Sequence, residues 1–286
     1  MKFPMRVVKD VPWLRRYLDV VAKYSNYSRH DVKFETVKLG FGENAVSALA
    51  VNGATPQVVL YVHGGGFVFG SADVYKGFVA KISTRLALQA IIPDYALAPE
   101  QPFPAGFNDV MNCYTALLDQ GYKGNDIALM GDSAGGNLIL AALAEILKRD
   151  LPKPACVVAL AAQTDFTFQG ASLTENRKSD CVLVSERYGE LREKYLNTQD
   201  PRDPRASPLF ATFTDAPPVQ IQVAKREILY DDNIAMAQKL RDDGVTVDLH
   251  EFDHGFHVFQ LLAGKLPAAD GALDLATDFI AEHLQR

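Results

Sequence analysis

The sequence predicts an α/β fold in which a mostly parallel sheet is wrapped by helices, and three observations carry that expectation. Continuous apolar, β-branched runs such as QVVLYV (57–62) and ACVVALAA (155–162) read as strands covered on both faces. Segments with helical spacing alternate with these runs along the chain. Two glycine-rich junctions, HGGGFVFG (63–70) and GDSAGG (131–136), each follow such a strand directly.

Taken in order, the pattern begins with an amphipathic helix over about residues 12–24. KFETVKL (33–39) and AVSALAV (45–51) then alternate like a hairpin of half-buried strands. After QVVLYV come a helix over 75–88, the buried strand LQAIIPDY (88–95) and a helix over 108–119. DIALMGDS (126–133) leads into a helix over 137–148, which precedes ACVVALAA. Strand PVQIQVA (218–224), helix 233–241, strand VTVDLHEF (245–252) and a terminal helix over 271–283 complete the series. Between ACVVALAA and PVQIQVA no strand pattern occurs, although a helix is expected over 184–196. A connection that long is uncommon unless functional. The whole chain, 1–286, is read as one domain in which about 1–32 and 166–206 form a cap over the C-terminal edge of the sheet.

Composition narrows the function classes. A net charge of −6 with no Lys/Arg cluster offers no attraction to nucleic acid or anionic lipid. Hydrophobic residues make up 48% and charged residues 22%, ordinary proportions for a soluble globular protein. No apolar run approaches the ~20 residues of a membrane helix, and the N-terminus lacks the apolar core of a signal peptide. The expected location is the cytoplasm. Cys113, Cys156 and Cys181 are too widely spaced for a zinc site and odd in number for a disulfide framework, so reduced thiols are expected.

GDSAGG carries the chemistry. It contains G-x-S-x-G, with Gly131, Ser133 and Gly135 at a strand–turn–helix junction. Such an elbow holds the serine on a strained turn with small residues on either side, and the helix start places the Ala134 N–H beside it. HGGGFVFG lacks the lysine and Ser/Thr of a phosphate cradle. It matches the HGGG-type loop whose N–H groups bind a developing oxyanion, which assigns Gly65 and Gly66 to that task together with Ala134. His63 is then a support for the loop.

HGGGF, DYALAPEQPFPA (94–105) and GDSAGG, in this order and spacing, resemble the hormone-sensitive-lipase-like group of α/β-hydrolases, which includes many bacterial carboxylesterases. The likeness runs from about Val58 to the C-terminus. It implies an α/β-hydrolase fold with an eight-stranded, mostly parallel sheet, a small helical cap, no cofactor or metal, and hydrolysis of small-molecule carboxylic esters of short or medium acyl chain. Members often pair as homodimers through sheet edges or the last helix. Relatives usually carry arginine where Ala96 stands. Glu100 matches the group's glutamate near the site and is read as a support of its hydrogen bonds.

In this fold the acid and the histidine follow the nucleophile in the chain. His30 and His63 precede Ser133, His250 lies within a strand, and His283 sits in the terminal helix. HGFHVF supplies both His254 and His257. The group's HGF motif matches His254, which is taken as the base, with His257 falling in the next helical turn. In AKREILYDDN the resemblance aligns Glu227 with the triad acid, and Asp231 and Asp232 read as helix caps. The same constellation serves amides, lactones and carbamates, and a non-catalytic receptor of this family would lack the histidine. In the cap, Phe166, Phe168, Val182, Leu183, Val184, Tyr188 and Tyr195 suit an apolar substrate pocket and the cap's own core equally well.

Overall fold

The computed structural model describes Arg15 and residues 32–284. The expected helix over 12–24 and the N-terminal part of the cap lie outside the described residues except at Arg15. Eight strands form one sheet: β1 (Phe34–Leu39), β2 (Val46–Val51), β3 (Val58–Val62), β4 (Gln89–Pro93), β5 (Ile127–Asp132), β6 (Cys156–Leu160), β7 (Val219–Ala224) and β8 (Val247–Phe252). Their spatial order is β1-β2-β4-β3-β5-β6-β7-β8. Strand β2 runs antiparallel to both β1 and β4, with Phe34 opposite Val51 and Leu49 opposite Ile92, and the remaining pairings are parallel.

The alternation of side chains along β3 explains the two layers of core. Val58, Leu60 and Val62 point into one apolar cluster and Val59 and Tyr61 into the other. The first cluster is closed by α2 (Ala105–Asp119), α3 (Ala134–Lys148) and α6 (Tyr230–Asp242), through Phe107, Leu138 and Met236 among others. The second is closed by α1 (Ala72–Leu86) and α7 (Pro267–Leu284), through Phe78, Val79, Leu273 and Ile280. Both faces of β3 are therefore sealed, which is why its sequence reads as an unbroken apolar run.

Every helix of the main series begins before its apolar periodicity does. Helix α1 starts at Ala72 because the Ser71 hydroxyl accepts the Val74 N–H at 3.3 Å. Helix α3 starts at Ala134, inside the glycine-rich motif. The 163–217 segment contains the short α4 (Ser172–Glu175) and α5 (Tyr188–Leu196). Val184 is extended and residues 185–187 form a 3-10 turn, so the helix expected from 184 begins four residues later. No helix among the described residues is long and apolar enough to cross a membrane.

Candidate active site

Ser133 stands at the end of β5 with φ 52° and ψ −115°, a backbone conformation that L residues rarely adopt. The turn survives because its neighbours are glycines. A Cβ on Gly135 would lie 2.0 Å from the Val62 carbonyl oxygen, and one on Gly131 would lie 2.8 Å from the same oxygen. Ser133 N–H donates to the Leu160 carbonyl at 2.8 Å, which ties the elbow to β6. The spacing in GDSAGG thus follows from the closeness of β3.

The loop after β3 is built just as tightly. Gly65 has φ 125°, and a Cβ there would sit 1.9 Å from the Phe69 carbonyl oxygen. Asp132, 1% exposed, accepts the Gly64 N–H at 2.9 Å and the hydroxyls of Tyr61 at 2.7 Å and Tyr75 at 3.0 Å. Burial pushes the Asp132 carboxyl up, against these three donors and the nearby His257. Among the described residues, no acceptor takes the N–H groups of Gly65, Gly66 or Ala134. Among the described residues, these three N–H groups of the two glycine-rich motifs are left unengaged.

His63 supports this loop. Its Nδ1 donates to the Gly64 carbonyl at 2.8 Å, and its ring stacks between Tyr75 and Tyr95 at centroid distances of 5.4 and 4.4 Å. Burial, opposed by the Gly64 hydrogen bond, holds its pKa down at about 4, so the ring is neutral. Glu100 lies apart from the serine. It is half exposed and takes two hydrogen bonds from Arg15, at 2.8 and 2.9 Å, whose Nε and Nη2 also hold the carbonyls of Val68 and Ala98. Among the described residues, its hydrogen-bonded link to the loop runs through that guanidinium.

The histidine requires a correction. His254 is exposed in the turn that follows β8, whereas His257 is 7% exposed and points its Nε2 at Ser133 Oγ, 2.9 Å away. The reason is the path of the chain. After β8 ends at Phe252, Asp253 pairs with Lys225 at the surface, and the chain must cross back over the end of β7. Gly255 makes the crossing, since a Cβ there would lie 2.9 Å from Ala224 Cβ. Phe259, 2% exposed, then anchors the next turn and leaves His257 above the serine. The signal was present in the sequence: His254 is flanked by Asp and Gly, His257 by Phe and Val. A histidine that must share a dry site belongs between apolar neighbours.

Glu227, 1% exposed, accepts the His257 Nδ1–H on Oε2 at 2.6 Å and the Ala224 N–H on Oε1 at 2.8 Å. Burial would lower the His257 pKa, but the hydrogen bond and charge of Glu227, with Asp180 and Asp132 beyond it, raise it above the ordinary value. Asp231 and Asp232 do not cap α6, whose first turn they occupy. Asp231 accepts the Ser172 N–H at 2.8 Å, and Asp232 accepts the N–H groups of Thr164 and Asp165 at 3.1 and 3.3 Å. Both tie the 163–172 stretch to α6.

Tyr195 stacks on Phe67 of the glycine-rich loop at a centroid distance of 3.9 Å, and Phe166 meets the same ring tilted at 5.5 Å. Leu183 and Tyr188 cluster with Ile228 and Leu229. These side chains of 166–206 are packed against the body of the protein rather than against one another alone. Leu191 on α5 faces Gly66, with Cδ1 3.4 Å from where a glycine Cβ would stand. The three thiols are unpaired, with Cys113 and Cys156 buried and Cys181 exposed.

A hydroxyl, a histidine and a carboxylate in hydrogen-bonded sequence, beside unengaged N–H donors, form an arrangement suited to acyl transfer. The comparisons with known proteins agree in kind. A family model described as alpha/beta hydrolase fold matches residues 59–261. An acetyl-hydrolase of Streptomyces hygroscopicus is 33% identical over 224 residues, spanning 78% of this chain and 75% of its own. An esterase of Acinetobacter venetianus is likewise 33% identical over 224 residues, spanning 78% and 74%. Among solved structures, an esterase from the bacterial hormone-sensitive lipase family superposes with a TM-score of 0.90 at 34% identity, covering 97% of this chain and 93% of that one. The chain belongs to the α/β-hydrolase family, within its hormone-sensitive-lipase-like group.

Proposed function

We propose that this protein is a serine carboxylesterase acting on esters of short or medium acyl chain. The single observation that carries the reading is the chain of contacts Ser133 Oγ–His257–Glu227, at 2.9 and 2.6 Å. In the proposed reaction the Ser133 oxygen attacks the ester carbonyl carbon while its proton passes to His257 Nε2. Glu227 holds the Nδ1–H and stabilises the imidazolium. The carbonyl oxygen, now negative, takes hydrogen bonds from the N–H groups of Gly65, Gly66 and Ala134. Collapse of the tetrahedral species breaks the bond to the alkoxy oxygen, which leaves with the His257 proton. Water then gives a proton to His257 as it attacks the acyl-enzyme, and collapse breaks the acyl–Oγ bond, releasing the acid while His257 returns the proton to Ser133 Oγ. A glutamate serves as well as an aspartate here because Oε1 is fixed by the Ala224 N–H, which leaves Oε2 a single direction.

The short-chain preference rests on the segment 166–206, which we read as a cap. Leu191 over Gly66 and the Phe67–Tyr195 stack put apolar side chains over the glycine-rich loop. The acetyl-hydrolase and esterase relatives support the same substrate class. The test is hydrolysis of p-nitrophenyl butyrate by the wild type and Ser133→Ala, followed by a series of acyl lengths and the matching anilide. Loss of turnover in Ser133→Ala and a fall in kcat/KM beyond medium chains are expected. Full activity in Ser133→Ala, or preference for the anilide, would overturn the assignment.

A further inference from the structure

Glu227 is carried on the short turn between β7 and α6, and most of that turn's backbone is satisfied from elsewhere. Asn176 Nδ2 donates to the Lys225 carbonyl at 2.9 Å and to the Glu227 carbonyl at 3.0 Å. Ser179 Oγ donates to the Arg226 carbonyl at 3.0 Å, and Ser172 Oγ to the Ile228 carbonyl at 2.8 Å. The Ile228 N–H donates in return to Asp180 Oδ2 at 2.9 Å. All four side chains belong to the stretch Ser172–Asp180, roughly fifty positions earlier in the chain. Asp180 is itself fixed, because its Oδ1 accepts the N–H groups of Val182 and Leu183, each at 2.8 Å. It is 2% exposed.

A turn that held itself would not need so many contacts from a distant segment. We propose that Asn176 and Asp180 are positioning residues of the ester-hydrolysis reaction, clamping the turn that aims Glu227 at His257. The proposal rests on the Ser133–His257–Glu227 reading. Its consequence is that the insertion between β6 and β7 does more than roof the substrate: it completes the geometry of the acid. Asp180 also places a buried carboxylate near the imidazole, besides those of Glu227 and Asp132. Among the described residues, the charged or titratable groups facing this region include Glu227 on the β7–α6 turn, Asp132 at the end of β5, Asp180 on the insertion, Tyr188 on α5 and Asp232 on α6.

The experiment measures kcat, KM and the pH–rate profile for p-nitrophenyl butyrate in Asn176→Asp and Asp180→Asn, normalised to folded protein. Asn176→Asp keeps the volume and loses both donors, and kcat is expected to fall at least ~10-fold with KM changed less than ~3-fold. Asp180→Asn removes the charge and puts an amide NH2 where one carboxylate oxygen accepted backbone N–H, and the acid limb of kcat/KM is expected to move to lower pH by about half a unit. A purely structural role would lower the melting temperature without moving either quantity. Folded variants with wild-type kcat and an unmoved acid limb would overturn the proposal. Should either variant fail to fold, Ser179→Ala, at the exposed rim of the clamp, is expected to lose about 3-fold in kcat, and wild-type kcat there overturns it. Ser133→Ala in the same assay separates the two levels. If it is inactive while the clamp variants match wild type, the clamp alone is wrong; if it retains activity, the triad reading is wrong.

Discussion

At the scale of single residues, the site depends on groups whose chemistry is set by burial. Ser133 and Val258 both hold positive φ near 52°, one carrying the proposed nucleophile and the other following His257. Non-glycine residues in such conformations cost about 1–3 kcal/mol each and persist only where the surroundings over-determine them. In the proposed mechanism His257 must be neutral to accept the serine proton, and its pKa is held above the ordinary value by Glu227. Because a raised pKa means deprotonation at higher pH, kcat/KM is expected to rise with a midpoint above about 6.5 and to plateau on the alkaline side. Glu227→Gln removes the charge that raises it, so the midpoint should fall while kcat drops at least ~100-fold. A pH–rate profile of both proteins checks the two signs together. His63, by contrast, stays neutral down to about pH 4 and contributes no inflection of its own.

At the scale of elements, close approach decides what may change. Gly135 at the start of α3 touches the β3 carbonyls, so Gly135→Ala forces the elbow away from β3. Loss of soluble folded protein, or a melting temperature lower by several degrees, is expected, and a scanning melt measures it. The contact between α6 and the 163–172 stretch carries a different signature. Burial, set against the Thr164 N–H and reinforced by the charge of Asp165, raises the Asp232 pKa to about 7. Its folded pKa lies above its unfolded one, so the folded state binds the extra proton between them and stability falls as pH rises through that window. Asp232→Asn should therefore melt higher than wild type at about pH 8, with the advantage fading towards about pH 4. Equal melting temperatures at both pH values would contradict this account.

The same elements show how far the sequence could be read. Strands β3, β5 and β6 were legible because both faces are buried, and the elbow and the HGGG loop because glycine is obligatory where backbones nearly touch. Helix starts were read late at α1, α3 and α6 because the first turn is fixed by a cap or a loop contact and not by apolar spacing. Asp231 and Asp232 resemble caps in sequence, yet their partners are Ser172, Thr164 and Asp165, whose proximity only the fold creates. His254 and His257 are three positions apart, and choosing between them required the path over Gly255.

At the scale of the whole molecule, the sheet brings together groups from distant parts of the chain. Ser133 and His257 are 124 positions apart, and Glu227 and His257 thirty apart, yet the ends of β5, β7 and β8 place them within hydrogen-bonding reach. Ligands in open α/β sheets gather outside the carboxyl ends of the strands, where these loops converge. The most direct measurement is kcat for p-nitrophenyl butyrate in His257→Ala and His254→Ala, side by side with the wild type. The account predicts a loss of ~10³-fold or more in His257→Ala and a change within ~3-fold in His254→Ala. A fully active His257→Ala, or an inactive but folded His254→Ala, would contradict it.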